Sequence, residues 1–122
     1  MINTSILLKN IYASLDKKII TEKNVREHEA KLIFENITGH NFLELLNQNI
    51  SLNEKQQNNL ENIINSRNMG KPLAYVLREI SFRNLDLYID ERVLIPRQET
   101  ELLVEIGLGL IENIKSPKVL EI

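Results

Sequence analysis

The stretch ISFRNLDLYID, Ile80 to Asp90, is where the hydrophobic period of this chain changes. Ile80 and Phe82, then Leu85, Leu87 and Ile89, alternate with polar or amphipathic neighbours, the two-residue period of half-buried strands. Arg83-Asn84 stands between the two runs and can make a tight turn, so the spacing predicts a β-hairpin. A lone hairpin is marginal in water, which means this one has to lie against helices or another layer. Everything before it carries helical periods. The residues after it read as one helix and then the start of a strand, so the hairpin reads as a linker between two unlike regions.

Upstream, Leu7, Leu8, Ile11 and Leu15 follow the caps Asn3 and Thr4 and predict a first helix running to about Lys17. Thr21 is placed to cap a second helix, whose apolar stripe is Ala30, Ile33, Phe34 and Ile37 and whose left-handed terminator is Gly39. Arg26 and Glu29 are expected to pair along its surface. Asn41 with Glu44 resembles a capping box for a short third helix over Phe42 to Asn47. Ser51-Leu52-Asn53-Glu54 is a clearer box and opens a fourth. That fourth helix turns Leu60, Ile63 and Ile64 inward and an Asn/Gln face outward, then ends near Met69-Gly70 because Pro72 is too close for it to continue. Four short helices make a bundle.

Downstream, Pro96 blocks helix before it, and Glu99 and Glu101 suit the positive end of a helix dipole. Leu102, Leu103, Ile106, Leu110 and Ile111 form the apolar face of a helix running to about Ile114. Gly107 and Gly109 inside it cost roughly 1 kcal/mol each relative to alanine, which points to close packing against a sheet. After the turn at Ser116-Pro117, Val119 to Ile122 reads as a buried strand of a parallel sheet. Such a sheet cannot stand on one strand, so an α/β domain is expected to continue past Ile122. The expected organisation is a mainly α chain with a helical bundle over 1–69, a β-hairpin linker over 70–95, and the first helix and strand of a Rossmann-like α/β domain over 96–122.

Composition narrows the function classes. With 122 residues, 43% of them hydrophobic, the chain can bury one modest core, or one small domain and part of another. No apolar run is long enough to span a bilayer, and MINTSILLKN lacks the basic start and small-residue cleavage site of a signal peptide. A cytoplasmic protein without a membrane partner is expected. Cysteine is absent and there are only two histidines, so neither disulfides nor a metal site are expected. A net charge of −2 gives no basic face for nucleic acid. His28 reads as a solvated helix residue and His40 as a helix-end residue bonding local backbone. Tyr75, Phe82 and Tyr88 are expected to fill a core rather than to stack on bases.

The segment GKPLAYVLREISFRNLDLYIDERVLIPRQETELLVE, Gly70 to Glu105, resembles the release-factor glutamine methyltransferases, the HemK or PrmC family. Their pattern there is G-x-P-x-x-Y/H, a hairpin, then L-I-P-R-P-E-T-E-x-L-V-E. VREHEAKLIFENITG, Val25 to Gly39, is similar to the family's R-x-x-[DE]-A-x-x-L-L helix followed by glycine, so only the first helix is generic. The resemblance implies a helical, substrate-recognising domain and a hairpin ahead of an S-adenosylmethionine-dependent domain. It also implies methyl transfer to the side-chain amide nitrogen of the glutamine in the Gly-Gly-Gln loop of peptide-chain release factors. An amide nitrogen is a poor nucleophile, and the family aims it with an Asn-Pro-Pro-Tyr motif. That motif and the glycine-rich cofactor turn do not occur in this sequence, so the chain alone is expected neither to bind S-adenosylmethionine appreciably nor to catalyse transfer.

Within the chain, the resemblance puts Pro96 to Glu101 beside the cofactor pocket and gives Arg97 and Thr100 a pocket-lining role. Glu99 and Glu101 are assigned only to starting the helix. The competing structural account has Arg97 pairing with Glu99 or Glu101 at the surface. Two residues depart from the family pattern: Arg78 stands where glycine is usual, and Gln98 where a second proline is usual. Two other readings remain: a freestanding helical protein-interaction module, and an Asn-Pro-Pro-Tyr methyltransferase acting on another protein or on a nucleic-acid amino group.

Overall fold

The computed structural model describes residues 1–122 and divides into two compact units, Met1–Arg78 and Glu79–Ile122. The chain is mainly helical with two small antiparallel sheets.

In the first unit, α1 spans Thr4–Ser14, α2 Lys23–Thr38, α3 Glu54–Asn68 and α4 Leu73–Leu77. A two-residue strand β1 (Ile2–Asn3) pairs antiparallel with β2 (Asn49–Ile50), Ile2 opposite Ile50, a pairing too short for any sequence period to announce. The core is continuous. Leu7, Ile11 and Leu15 of α1 and its end meet Ala30, Ile33, Phe34 and Ile37 of α2, closed by Ile20, Ile63 and Leu73. The α2 residues recur at i, i+3, i+4 and i+7, so one stripe of an otherwise polar helix goes inside. Phe34 meets Phe42 edge to face, with ring centroids 5.5 Å apart. Thr4 is fully buried, and its hydroxyl donates to the Leu45 carbonyl at 2.8 Å.

Several local expectations are corrected. α1 stops at Ser14, short of Lys17, because the Asn68 side chain donates to the Ser14 carbonyl and accepts from the Asp16 N–H, both at 2.9 Å. One amide thus caps the end of α1 from α3. Thr21 does not cap α2. Glu22 holds that position without a side-chain bond, while the Thr21 carbonyl accepts from Arg26. Residues 42–47 form successive turns bonded i to i+3 rather than an α-helix. There Asn41 bonds the Leu43 N–H, so the Asn41–Glu44 box does not form. α3 does have a capping box, made by Asn53 and Gln56, two residues on from Ser51. Gly39 ends α2 at φ 73°, as the sequence predicts.

Arg26 and Glu29 do not pair. Arg26 is buried under α1, its guanidinium donating to the carbonyls of Ile20 (2.6 Å) and Thr21 (3.1 Å) and to the Tyr12 hydroxyl (3.3 Å). The Tyr12 ring lies 5.5 Å from it. Glu29 instead meets Arg67 across α2 and α3, Nε to both carboxylate oxygens at 3.1 and 3.2 Å. Helix periodicity puts residues on a face but does not say which neighbour that face meets.

Arg78 ends α4 at φ 57°, ψ 31°. The position where the family usually has glycine is therefore a left-handed one, which costs a non-glycine residue about 1 kcal/mol or more.

In the second unit, β3 (Glu79–Phe82) and β4 (Leu85–Tyr88) make the expected hairpin. Ile80 faces Leu87 and Phe82 faces Leu85 on one side, and on the other the Ser81 hydroxyl donates to Asp86 at 2.9 Å. The turn at Arg83-Asn84 places Arg83 at φ 54°. The aromatic set does not fill a core: Tyr75 and Phe82 are half-buried and Tyr88 is exposed. The next helix, α5, spans Gln98–Ile111, three residues short of Ile114. Its predicted inner face stays open, with Leu102, Leu103, Ile106 and Leu110 exposed. No strand forms over 119–122, a correction with a simple cause: a strand exists through its ladder partner, and no segment of the chain pairs with this one.

Candidate functional site

The residues singled out from the sequence lie on the path from the hairpin to α5. Asp90 starts that path. It is nearly buried, and its carboxylate accepts the Arg92 backbone N–H at 3.1 Å, an Asx turn closed by the Val93 N–H on the Asp90 carbonyl. The Arg92 guanidinium grips the same carboxylate with Nε at 2.9 and 3.1 Å and a terminal nitrogen at 2.6 Å. The Arg92 side chain, then its backbone N–H, hold the Asp90 carboxyl well below the usual carboxylate range. Burial opposes this and the Tyr88 hydroxyl adds to it. Asp90 in turn raises Arg92. The pair is a charge-assisted corner whose ionised form each partner favours in the other. Its signal in the sequence was the Asp-x-Arg spacing, which period analysis passes over.

Pro96 and then Arg97 bring the chain into α5. Arg97 is the N-cap at φ −99°, ψ 156°, its carbonyl taking the Thr100 N–H at 3.0 Å and its side chain making no cap bond. Arg97 and Thr100 are both exposed, one at the N-cap and the other in the first turn. The structure thus gathers the two predicted site residues at one helix start. Two surface hollows lie elsewhere, one lined by Glu54, Lys55, Asn58, Asn59 and Asn62, the other by Met1, Ile2, Leu7 and Ile50 to Leu52 with Gln57.

Glu99 and Glu101 occupy the first turn of α5, where the dipole favours them. Glu101 does more than that. Its Oε2 accepts the backbone N–H of Arg83 at 3.3 Å, joining the hairpin turn to the helix start. Eighteen residues separate the two, beyond the reach of any local pattern, and Arg97 pairs with neither Glu99 nor Glu101. The histidines stand as expected. His28 is exposed, and at His40 the backbone N–H and carbonyl both bond the Thr38 hydroxyl, with Glu44 3.8 Å from the ring.

No group of three or more His, Cys, Asp or Glu residues is arranged to hold a metal ion. No helix is long and apolar enough to cross a membrane.

Comparison with known proteins adds the family. Three relatives named release factor glutamine methyltransferase match this chain. That of Buchnera aphidicola subsp. Acyrthosiphon pisum is 36% identical over 86 residues, covering 70% of this chain and 31% of the relative. That of Coxiella burnetii is 30% identical over 116 residues, 94% of this chain and 41% of the relative. That of Streptococcus pneumoniae is 31% identical over 111 residues, 89% of this chain and 39% of the relative. The chain therefore spans between about a third and two fifths of the length of these curated relatives. The similarity runs beyond the bundle, since 94% coverage includes residues of both units. The model of the PrmC N-terminal domain matches residues 9–77, more than half of the chain, and all of that match lies in the first unit. By that match, the chain belongs to the PrmC N-terminal domain family.

Proposed function

We propose that this chain is the amino-terminal part of an S-adenosylmethionine-dependent protein methyltransferase that modifies the glutamine side-chain amide of the Gly-Gly-Gln loop in peptide-chain release factors. The observation that carries the reading is that similarity to enzymes so named spans both units rather than the bundle alone. Residues 1–69 would recognise the release factor, 70–95 would link, and 96–122 would open the Rossmann-like donor-binding domain.

α5 supports this assignment. It runs for 14 residues yet leaves Leu102, Leu103, Ile106 and Leu110 exposed. A helix this apolar is built to be covered, each such side chain being worth about 1.5–3 kcal/mol when buried. A parallel sheet would cover it.

When bound, S-adenosylmethionine supplies an electrophilic methyl group and carries a carboxylate and ribose hydroxyls. Of this chain's residues, Arg97 and Thr100 suit it: an exposed cation and a hydroxyl one turn apart at a helix start, the chemistry that a carboxylate accepts. Their role is to bind and orient. Neither moves a proton.

The test is methyl transfer by the parent enzyme to an intact release factor and to a Gly-Gly-Gln peptide. Transfer to the factor with Arg97→Ala raising donor KM at unchanged stability supports the reading, whereas transfer only to a different protein or to nucleic acid replaces it. A titration of the 122-residue chain with the factor addresses recognition: resonance shifts confined to residues 1–69 are expected. A second reading, a freestanding interaction module, draws on the closed core of Met1–Arg78. It is distinguished by binding of the factor with no methyl transfer at any donor concentration.

A further inference from the structure

Glu101 was read from the sequence as a helix-starting acid, and Glu99 two residues earlier supplies the same dipole complement. Only Glu101 reaches the hairpin, accepting the Arg83 N–H at 3.3 Å. Its reach fixes the course of the intervening chain. β4 carries the chain away from the turn by about 13 Å, four residues at roughly 3.3 Å each. Residues 89–97 must retrace that distance for Glu101 to stand at Arg83. The Asp90–Arg92 grip turns the chain at the far end of this path, and the Glu101–Arg83 bond closes it at the near end. Pro96, Arg97 and Thr100 lie between these two fastenings. Arg83 sits at φ 54°, a conformation that a non-glycine residue holds only when its surroundings support it.

We propose that Glu101 is a positioning residue whose carboxylate pins the hairpin turn at Arg83 and thereby sets the donor-facing segment Pro96–Thr100. The pinning stands on the geometry alone, and its consequence for the donor rests on the functional reading above.

Amide exchange at Arg83, measured by NMR on the 122-residue chain, tests the pin. Glu101→Ala should speed that exchange about fivefold, the equilibrium factor of one modest hydrogen bond. Glu99→Ala, which removes an equal charge from the same turn, should leave it unchanged. Unchanged exchange in Glu101→Ala, or an equal effect of Glu99→Ala, overturns the pin. In the parent enzyme, Glu101→Ala should raise donor KM by a similar factor with kcat nearly constant, and Glu101→Gln, which keeps an acceptor oxygen, should restore most of it. A released Arg83 amide with donor KM unchanged overturns the positioning role. Wild-type enzyme that transfers no methyl to a release factor marks failure of the functional reading instead; it removes the donor role while the exchange data still decide the pin.

Discussion

α2 and α5 are the instructive pair. α2 is the more polar helix, yet it buries Ala30, Ile33, Phe34 and Ile37 almost completely, along with Arg26. α5 is crowded with leucine, isoleucine and valine and buries nothing, Leu110 being 76% exposed. Apolar content sets what a helix gains if it is covered, but burial needs a complementary face. α2 has α1, α3 and α4 around it, while α5 has one side-chain bond to a hairpin turn. Stability in the first unit is therefore expected to be cooperative, and in the second local.

The sharpest way to break that contrast is truncation on each helix. Phe34→Ala should destabilise the first unit by about 3–5 kcal/mol through lost burial and the cavity left behind, read as a fall in thermal midpoint. Leu103→Ala in the 122-residue chain, where Leu103 is exposed, should stay within about 0.5 kcal/mol. A large loss from Leu103→Ala would mean that α5 is covered after all.

Next in size is the Glu29–Arg67 pair, whose side chains are only 12% and 13% exposed. Glu29→Ala leaves a largely buried guanidinium with one carbonyl contact, to Lys71. It should cost about 2 kcal/mol in chemical denaturation, and a loss under about 0.5 kcal/mol would place the pair among ordinary surface pairs.

Hydrogen exchange compares whole helices. Amides over 54–68 should exchange slowly and those over 98–111 quickly, and equal protection would refute the division into cooperative and local stability.

The smallest effect expected is with pH. Because Arg92 lowers the folded-state pKa of Asp90, the pair's contribution is present above the unfolded carboxylate value near 3.9. It is lost only as pH falls through the lower folded value. The Asp90 carboxyl carbon shift should therefore stay flat from pH 8 to about pH 4, and a titration step in that window would show that the corner is open in solution.

Much of this was legible from residue types. The α2 stripe, the left-handed end at Gly39, the hairpin with its Arg83-Asn84 turn and the Pro96 entry to α5 all come from constraints within a few residues of chain. Arg78 was legible as a departure from the family pattern, and its left-handed backbone explains the glycine usual there. Of the candidate site, the helix start that carries Arg97 and Thr100 was legible from Pro96 and the acids after it, while the pocket-lining role of these two residues is a proposal. What escaped were partners distant in sequence. Asn68 ends α1 from 54 residues away, Arg67 takes Glu29 from 38, and Glu101 holds Arg83 from 18.

The sequence by itself determined the three long helices α1, α2 and α3, the hairpin and α5, because capping, period and left-handed backbone are properties of neighbouring residues. It missed α4 and the β1–β2 pair, and it predicts a helix at 42–47 and a strand at 119–122 that do not form. It also determined the family, because enough of those residues coincide with relatives. The tertiary structure alone decided which apolar faces are buried and which charges meet. Burial and ion pairing are relations between surfaces, and an apolar helical stripe closes a core in α1 and α2 and stands open in α5.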